Sequence, residues 1–498
     1  MVVRRLLPLT AALMMLCPSA LAAAEAEEGF TFAQVQEAAE AVAAAGYQAP
    51  RRASDAFLAL NYDTYRLIAP RNDTALWRDT DSPFWAEFFP AGFFFDCPVR
   101  IHIVDESGQV MTLEAGEQWF QFRGATAELA HDPGGGFSGL RLLGDEAGES
   151  HKTEFAVFQG ASYFRARGEH QIYGASARGL AIDIGLAKPE EFPRFTEFWL
   201  KRPPRGAKQA VVWALLDSPG VTGAYQFTIS TGKDAAIDVE AHLWFRHGIQ
   251  KLGIAPLTSM WMWEADGQPD GDPRPEVHDS DGLLIHHGAN EWLWRPLRRP
   301  AAPGVSSWPV DKLLGFGLLQ RDRDEAHYRD AEALYHRRPS MWIEPAGSWG
   351  PGRVELLELP SDQEGNDNIA AFWVSDEAVA GPSERVLTYR VTFGDGPQRP
   401  KSLMTVIDSH VRPIEQGAVV EVEFATDGES GDPTELVPRA WCDVGEIRDV
   451  ELVAESNRRR MVRFHFDPPP TGVAQLHVQL ISPGSPISEE WSFLWTPP

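Results

Sequence analysis

Val239-Glu240-Ala241-His242-Leu243-Trp244-Phe245-Arg246 alternates apolar and mostly polar side chains with a period of two. That period predicts a strand buried on one face. Similar runs lie at 155–158, 179–184, 210–215, 224–229, 354–359, 369–374 and 386–393, separated by Gly, Pro, Asp and Ser clusters. No helical pattern of roughly 10 to 15 residues alternates with them, which argues against a parallel βαβ sheet. The expected class is all-β, led by a large antiparallel sandwich. One helix is expected outside it: Thr31 and Gln34 have capping-box spacing, and the Ala-rich run behind them ends at Gly46.

After the strand at 386–393 comes Gly394-Asp395-Gly396-Pro397-Gln398-Arg399-Pro400, a boundary signal. The reading therefore places a large β-sandwich at 23–394, a linker at 395–400 and a small sandwich of immunoglobulin size and rhythm at 401–498. Its strands are expected at 418–425, 461–466 and 472–481. Residues 1–22 read as a secretory signal peptide: Arg4 and Arg5, an apolar run from Leu6 to Leu16, and a small-residue site ending at Ala22. Both a Sec-type and a twin-arginine route fit it. No later stretch has the roughly 20 apolar residues of a membrane helix, so an integral membrane protein is not expected.

With 45 Lys and Arg against 71 Asp and Glu, the net charge is −26. Such a field repels phosphate backbones, and nucleic acid is not an expected partner. The 17 Trp residues admit two uses, sheet cores and flat binding surfaces for sugar faces. No cofactor or metal is expected. Gly134, Gly135 and Gly136 lack the Lys and Ser/Thr of a phosphate loop, and the adjacent His286 and His287 point to opposite faces of a strand. Cys97 and Cys442 cannot make a zinc site alone, and the sequence leaves open whether they pair.

Four segments carry candidate chemistry. Pro275-Glu276-Val277-His278-Asp279-Ser280-Asp281-Gly282 packs three carboxylates around a histidine. On a strand edge Asp279 and Asp281 would point the same way, a pair fit for acid and base work; the alternatives are a solvated acidic turn or a calcium loop. Asp362-Gln363-Glu364-Gly365-Asn366-Asp367-Asn368 is a polar loop before a strand, where an Asx turn is the plain alternative. A basic and aromatic segment holds Arg321, Asp322, Arg323, Asp324, Tyr335, Arg338 and Trp342; ion pairing would account for the charges, while Tyr335 and Trp342 could face a ligand. In Glu291-Trp292-Leu293-Trp294-Arg295 both tryptophans share one sheet face, as core or as sugar platform.

The runs YGASARGLAI (173–182), KLGIAPLTSM (251–260), RPEVHDSDGL (274–283), GFGLLQRDRD (315–324) and NYDTYR (61–66) resemble the osmoregulated periplasmic glucan biosynthesis proteins, types G and D. The resemblance implies a galactose-mutarotase-like sandwich, a short linker and an immunoglobulin-like domain, working in the periplasm. It implies β-1,2-glucan as ligand, the inner-membrane glucan synthase as a partner, and an inverting glycoside hydrolase or transglycosylase of endo-β-1,2-glucanase type. A non-catalytic glucan-binding and assembly protein is the alternative. By motif match Asp367 is the general acid and Asp279 the general base, with protons relayed through a sugar hydroxyl and water. Tyr335 sits at the cleavage subsite, and Trp342, Trp292, Arg338 and Asp281 are expected to bind substrate. The chain departs from the family pattern at Gly365, where a threonine hydroxyl is common.

Overall fold

The computed structural model describes residues 29–426 and 436–497, apart from 455, 457, 471, 483 and 484. The expected signal peptide lies outside the described residues. The strand that opens the sequence reading, Ala235–Phe245, is buried at every second residue, including Val239, Ala241, Leu243 and Phe245. It pairs antiparallel with Val221–Ser230 on one side and Ser383–Gly394 on the other, so that Val239 faces Phe227 and Tyr389 across the ladders.

These strands lie mid-way in a sheet that has fifteen strands among the described residues; a second sheet has ten. The two face each other. Phe158 and Phe164 of the smaller sheet meet Phe227 of the larger at ring-centroid distances of 5.0 and 5.2 Å. The resulting core runs from Ala53 to Phe393. At roughly 1.5–3 kcal/mol for each large apolar side chain fully buried, this interface dominates the stability of the fold. The all-β sandwich expected from the period-two runs is what the chain forms.

The helix forms at Phe32–Ala45, with the Gln34 side chain accepting from the Thr31 N–H at 2.8 Å and Gly46 ending it in the left-handed region, φ 79°. Val35 and Ala39 seal it onto Trp199 and Trp213 on the outer face of the larger sheet. One expected strand, 179–184, is broken. Ser176–Arg178 and Ala181–Ile182 are separate short strands. The Tyr225 hydroxyl takes the Gly179 carbonyl at 3.0 Å, out of any ladder.

Beyond Gly394 the chain crosses 395–404 and enters a four-stranded sheet built from Thr405–Pro413, Ala418–Ala425, Arg459–Asp467 and Glu446–Ala454. Opposite it lie Val437–Cys442, Ala474–Ser482 and Glu490–Trp495, which continue the large sheet itself: Glu490–Trp495 pairs in parallel with Glu291–Pro296. A second core fills the space between, with Val420, Phe464, Leu476 and Trp491 packed against Leu284, Trp292, Trp294 and Trp342. Cys97 and Cys442 are both free thiols.

Candidate active site

Val277–His278 is a two-residue strand paired with Trp261–Trp263, and the Asp279 N–H extends the pairing to the Met260 carbonyl at 2.8 Å. Here the chain bends. Asp279 and Asp281 do not act as one pair, as strand alternation suggests, because they are committed to different partners. Asp279, 4% exposed, is ion-paired with Arg338. Asp281 accepts the backbone N–H groups of Arg321 and Asp322, the latter at 2.9 Å, and lies 3.5 Å from His278 Nδ1. Asp281 thus shapes the turn at 321–322.

Burial pushes the Asp279 carboxyl above its usual range, Arg338 opposes that, and the Asp367 charge adds to it. The two carboxylates therefore sense each other although they come from distant segments. Asp367 is exposed. Its Oδ2 accepts the Thr258 hydroxyl at 2.8 Å. Its neighbour Asn368 fixes the loop from below: Asn368 Oδ1 accepts the Trp261 N–H at 2.9 Å, while Nδ2 donates to the carbonyls of Trp261 and Leu359 at 2.9 and 3.1 Å. A buried amide with three hydrogen bonds holds its backbone firmly.

Tyr335 joins the two halves. Its buried ring lies under the Arg338 guanidinium at 4.3 Å, and its hydroxyl donates to Glu364 Oε2 at 2.9 Å, three residues before Asp367. Burial raises the Tyr335 hydroxyl pKa, so it stays a donor. Glu364 is also gripped by Arg274, Nη2 to Oε1 at 2.6 Å and Nη1 to Oε2 at 3.0 Å, and Arg274 further pairs with Asp272 and Asp330. These contacts connect Asp279 to Asp367 through Arg338, Tyr335 and Glu364.

Asp367 opens onto a cavity of about 550 Å³, lined also by Tyr163, Arg165, Tyr173, Arg194 and Phe94. That volume suits a ligand of several rings. The walls supply hydroxyl and guanidinium donors for a polyhydroxylated ligand.

Trp292 and Trp342 are not in this cluster. Each is 3% exposed, their rings stack on one another at 6.0 Å, and both belong to the second core under the C-terminal strands. The expectation that they contact substrate is corrected: no ring face is open to a sugar. Arg321 behaves as the ion-pair reading foresaw, meeting Glu489 at 2.7 Å. The calcium-loop alternative has a counterpart in Glu276, Asp322 and His327, whose ligand atoms lie within 4.8 Å of one another, but Glu276 already pairs with His278 and Asp322 with His327. The sequence reading gave no role of their own to Thr258, Arg274, Glu364 and Asn368, although the last two lie in the polar loop it singled out. Thr258 and Arg274 stand inside the resembling runs, and only the folded chain gives them a role.

A family model described as periplasmic glucan biosynthesis protein, MdoG, matches residues 30–495. The chain is 37% identical over 502 residues to a probable glucans biosynthesis protein D of Shewanella oneidensis, covering 97% of this chain and 92% of that one. It is 40% identical to glucans biosynthesis protein D 1 of Ralstonia nicotianae, covering 96% and 93%. With glucans biosynthesis protein G of the same organism the identity is 38%, covering 96% and 98%.

Proposed function

Since the chain belongs to the periplasmic glucan biosynthesis protein family, we propose that it trims or rebuilds the β-1,2-glucan backbone as an inverting glycoside hydrolase or transglycosylase. The observation that carries this reading is a buried carboxylate, Asp279, joined through Arg338, Tyr335 and Glu364 to the loop of an exposed one, Asp367, which opens onto a cavity wide enough for a sugar chain. In this scheme Asp367 gives its proton to the glycosidic oxygen as the bond to C1 breaks. Water, or a hydroxyl of a second glucan in transfer, attacks C1 from the opposite face, and its proton passes to Asp279. A base raised toward neutrality is the stronger one, and burial supplies that shift at Asp279. Tyr335 and Arg338 orient the two carboxylates and the sugar between them.

The proposal includes export of the chain through residues 1–22, a catalytic part at 23–394, an immunoglobulin-like part at 401–498, and work alongside the inner-membrane glucan synthase. No described helix is long and apolar enough to cross a membrane. The second reading is a protein that binds and guides nascent glucan without cutting it. Gly365 favours it, since the loop lacks a hydroxyl two residues before the acid.

Linear β-1,2-glucan incubated with the purified chain and with Asp279→Asn and Asp367→Asn variants decides between them. Shorter or rearranged glucans from the wild type alone support the enzyme. Intact glucan throughout, with saturable binding, supports the guide.

A further inference from the structure

Phe94, at 81% exposure, is the most exposed large apolar side chain among the described residues. It stands in the turn Gly92-Phe93-Phe94-Phe95, closed by hydrogen bonds of 2.9 Å in both directions between Gly92 and Phe95. Phe93 takes φ 54° in that turn. Two-residue turns with a left-handed first corner favour Gly, Asn or Asp there, and a bulky ring at that corner is a strained choice. Strain of this kind persists only where the surroundings enforce it.

The surroundings do so. The Phe93 N–H donates to the Phe57 carbonyl at 3.0 Å, and Gly92 lies so close that a Cβ on it would stand 2.9 Å from the same oxygen. The Tyr65 ring backs Phe93 and Phe95 at 6.0 and 5.8 Å, with its hydroxyl on the Pro90 carbonyl at 2.7 Å. Phe93 in turn supports the Phe94 ring at 3.9 Å. A rigidly supported turn thus holds one bare aromatic face in water at the rim of the cavity that contains Asp367.

A glucopyranose ring carries its hydroxyls equatorially and turns a face of C–H bonds outward, polarised to match the negative face of an aromatic ring. We propose that Phe94 is a stacking platform for a glucosyl unit away from the cleaved bond, and that it selects for glucan chain length. This rests on the glucan reading of the same cavity. Stacking of this kind acts on bound substrate and transition state alike, so its loss appears in KM and not in kcat.

The experiment measures glucan binding and steady-state cleavage for the full chain and its Phe94→Ala and Phe94→Trp variants, using linear β-1,2-glucans graded in length. The expected result is a tenfold or greater rise in Kd and KM for long glucans with Phe94→Ala, kcat within twofold, and recovery with Phe94→Trp. Should the wild type bind glucan and Phe94→Ala bind every length equally well, the platform is refuted while the glucan reading stands. A fall in kcat at unchanged KM also overturns it, because Phe94 then serves the shape of the loop. A wild type that binds no β-1,2-glucan overturns the underlying reading itself.

Discussion

Replacing Glu489 tests how the C-terminal strands are fastened to the large sheet. The Glu489 side chain is fully buried and accepts four hydrogen bonds: Arg321 Nη2 at 2.7 Å, Arg321 Nη1 at 3.0 Å, Arg399 Nη1 at 2.7 Å and the Val406 N–H at 3.0 Å. Arg321 also stacks on the Trp294 ring at 3.5 Å and donates to the Val406 carbonyl at 3.0 Å, so it cannot swing into water when its partner goes. Removing one member of a buried pair costs about 3–5 kcal/mol, because the other charge stays behind unpaired. Glu489→Gln keeps one acceptor oxygen and sits at the lower end, about 3 kcal/mol; Glu489→Ala loses all four bonds and sits at the upper end. With a urea dependence of about 3 kcal/mol per molar, the Gln variant unfolds about 1 M earlier. Urea titration followed by tryptophan fluorescence reads this, since Trp294 and Trp491 lie in the joint. A midpoint within about 0.2 M of wild type refutes the reasoning. A paired exchange of Glu489 and Arg321 for Met, which strands fewer charges, is expected to cost less than Glu489→Ala alone.

Three further outcomes follow from the site. Glu364→Gln weakens the grip of Arg274 and Tyr335 on the Asp367 loop and is expected to lower kcat about 10- to 100-fold with little change in KM; adding Tyr335→Phe should cost no more, because both act through one contact, and additive losses in the double variant would contradict this. Gly365→Thr meets no steric obstacle, as a Cβ there touches nothing within 4 Å; it is expected to raise turnover by up to about tenfold, one hydrogen bond's worth, at unchanged Tm, and an unchanged rate counts against a role for that hydroxyl. Burial pushes Glu264 up to about 8, and although burial alone would lower His278, Glu276, Asp281 and Glu264 hold it at about 9. The native state thus keeps protons that the unfolded chain releases, so stability falls as pH rises, from about 4.5 to 8 for Glu264 and from about 6.5 to 9 for His278. Tm should drop by several degrees between pH 6 and pH 9, and less in Glu264→Gln; a flat profile contradicts the assignment.

What the sequence made legible follows its local periodicities. Val239 to Arg246 exposes its strand through a period of two, and Thr31, Gln34 and Gly46 mark both ends of the helix, because these signals need no distant partner. The site is different. Nothing in the spacing of Asp279 and Asp367 joins them; only the family resemblance did, and Asn368 and Thr258 do it physically by tying the loop to the 258–261 segment. Alternation correctly put Trp292 and Trp294 on one face, but it cannot tell what covers a face, and here the cover is Trp491 and its neighbours. The same limit misplaced Asp281: the chain bends after Asp279, and a bend cancels the parity on which the pairing argument depends.

The parallel joint between Glu291–Pro296 and Glu490–Trp495 also sets an order of assembly. The inner strand precedes the outer one by almost two hundred residues, so until the C-terminal strands dock Glu291–Pro296 is an open edge with bare backbone donors and acceptors and two uncovered indoles beside it. Such an edge recruits other chains. A chain cut short between residues 297 and 489 keeps that edge, however well its first sheet has formed, and is exposed by it to aggregation. Closure of the large sheet therefore waits on the last strand of the chain, and the edge and its indoles are hidden only when that strand docks.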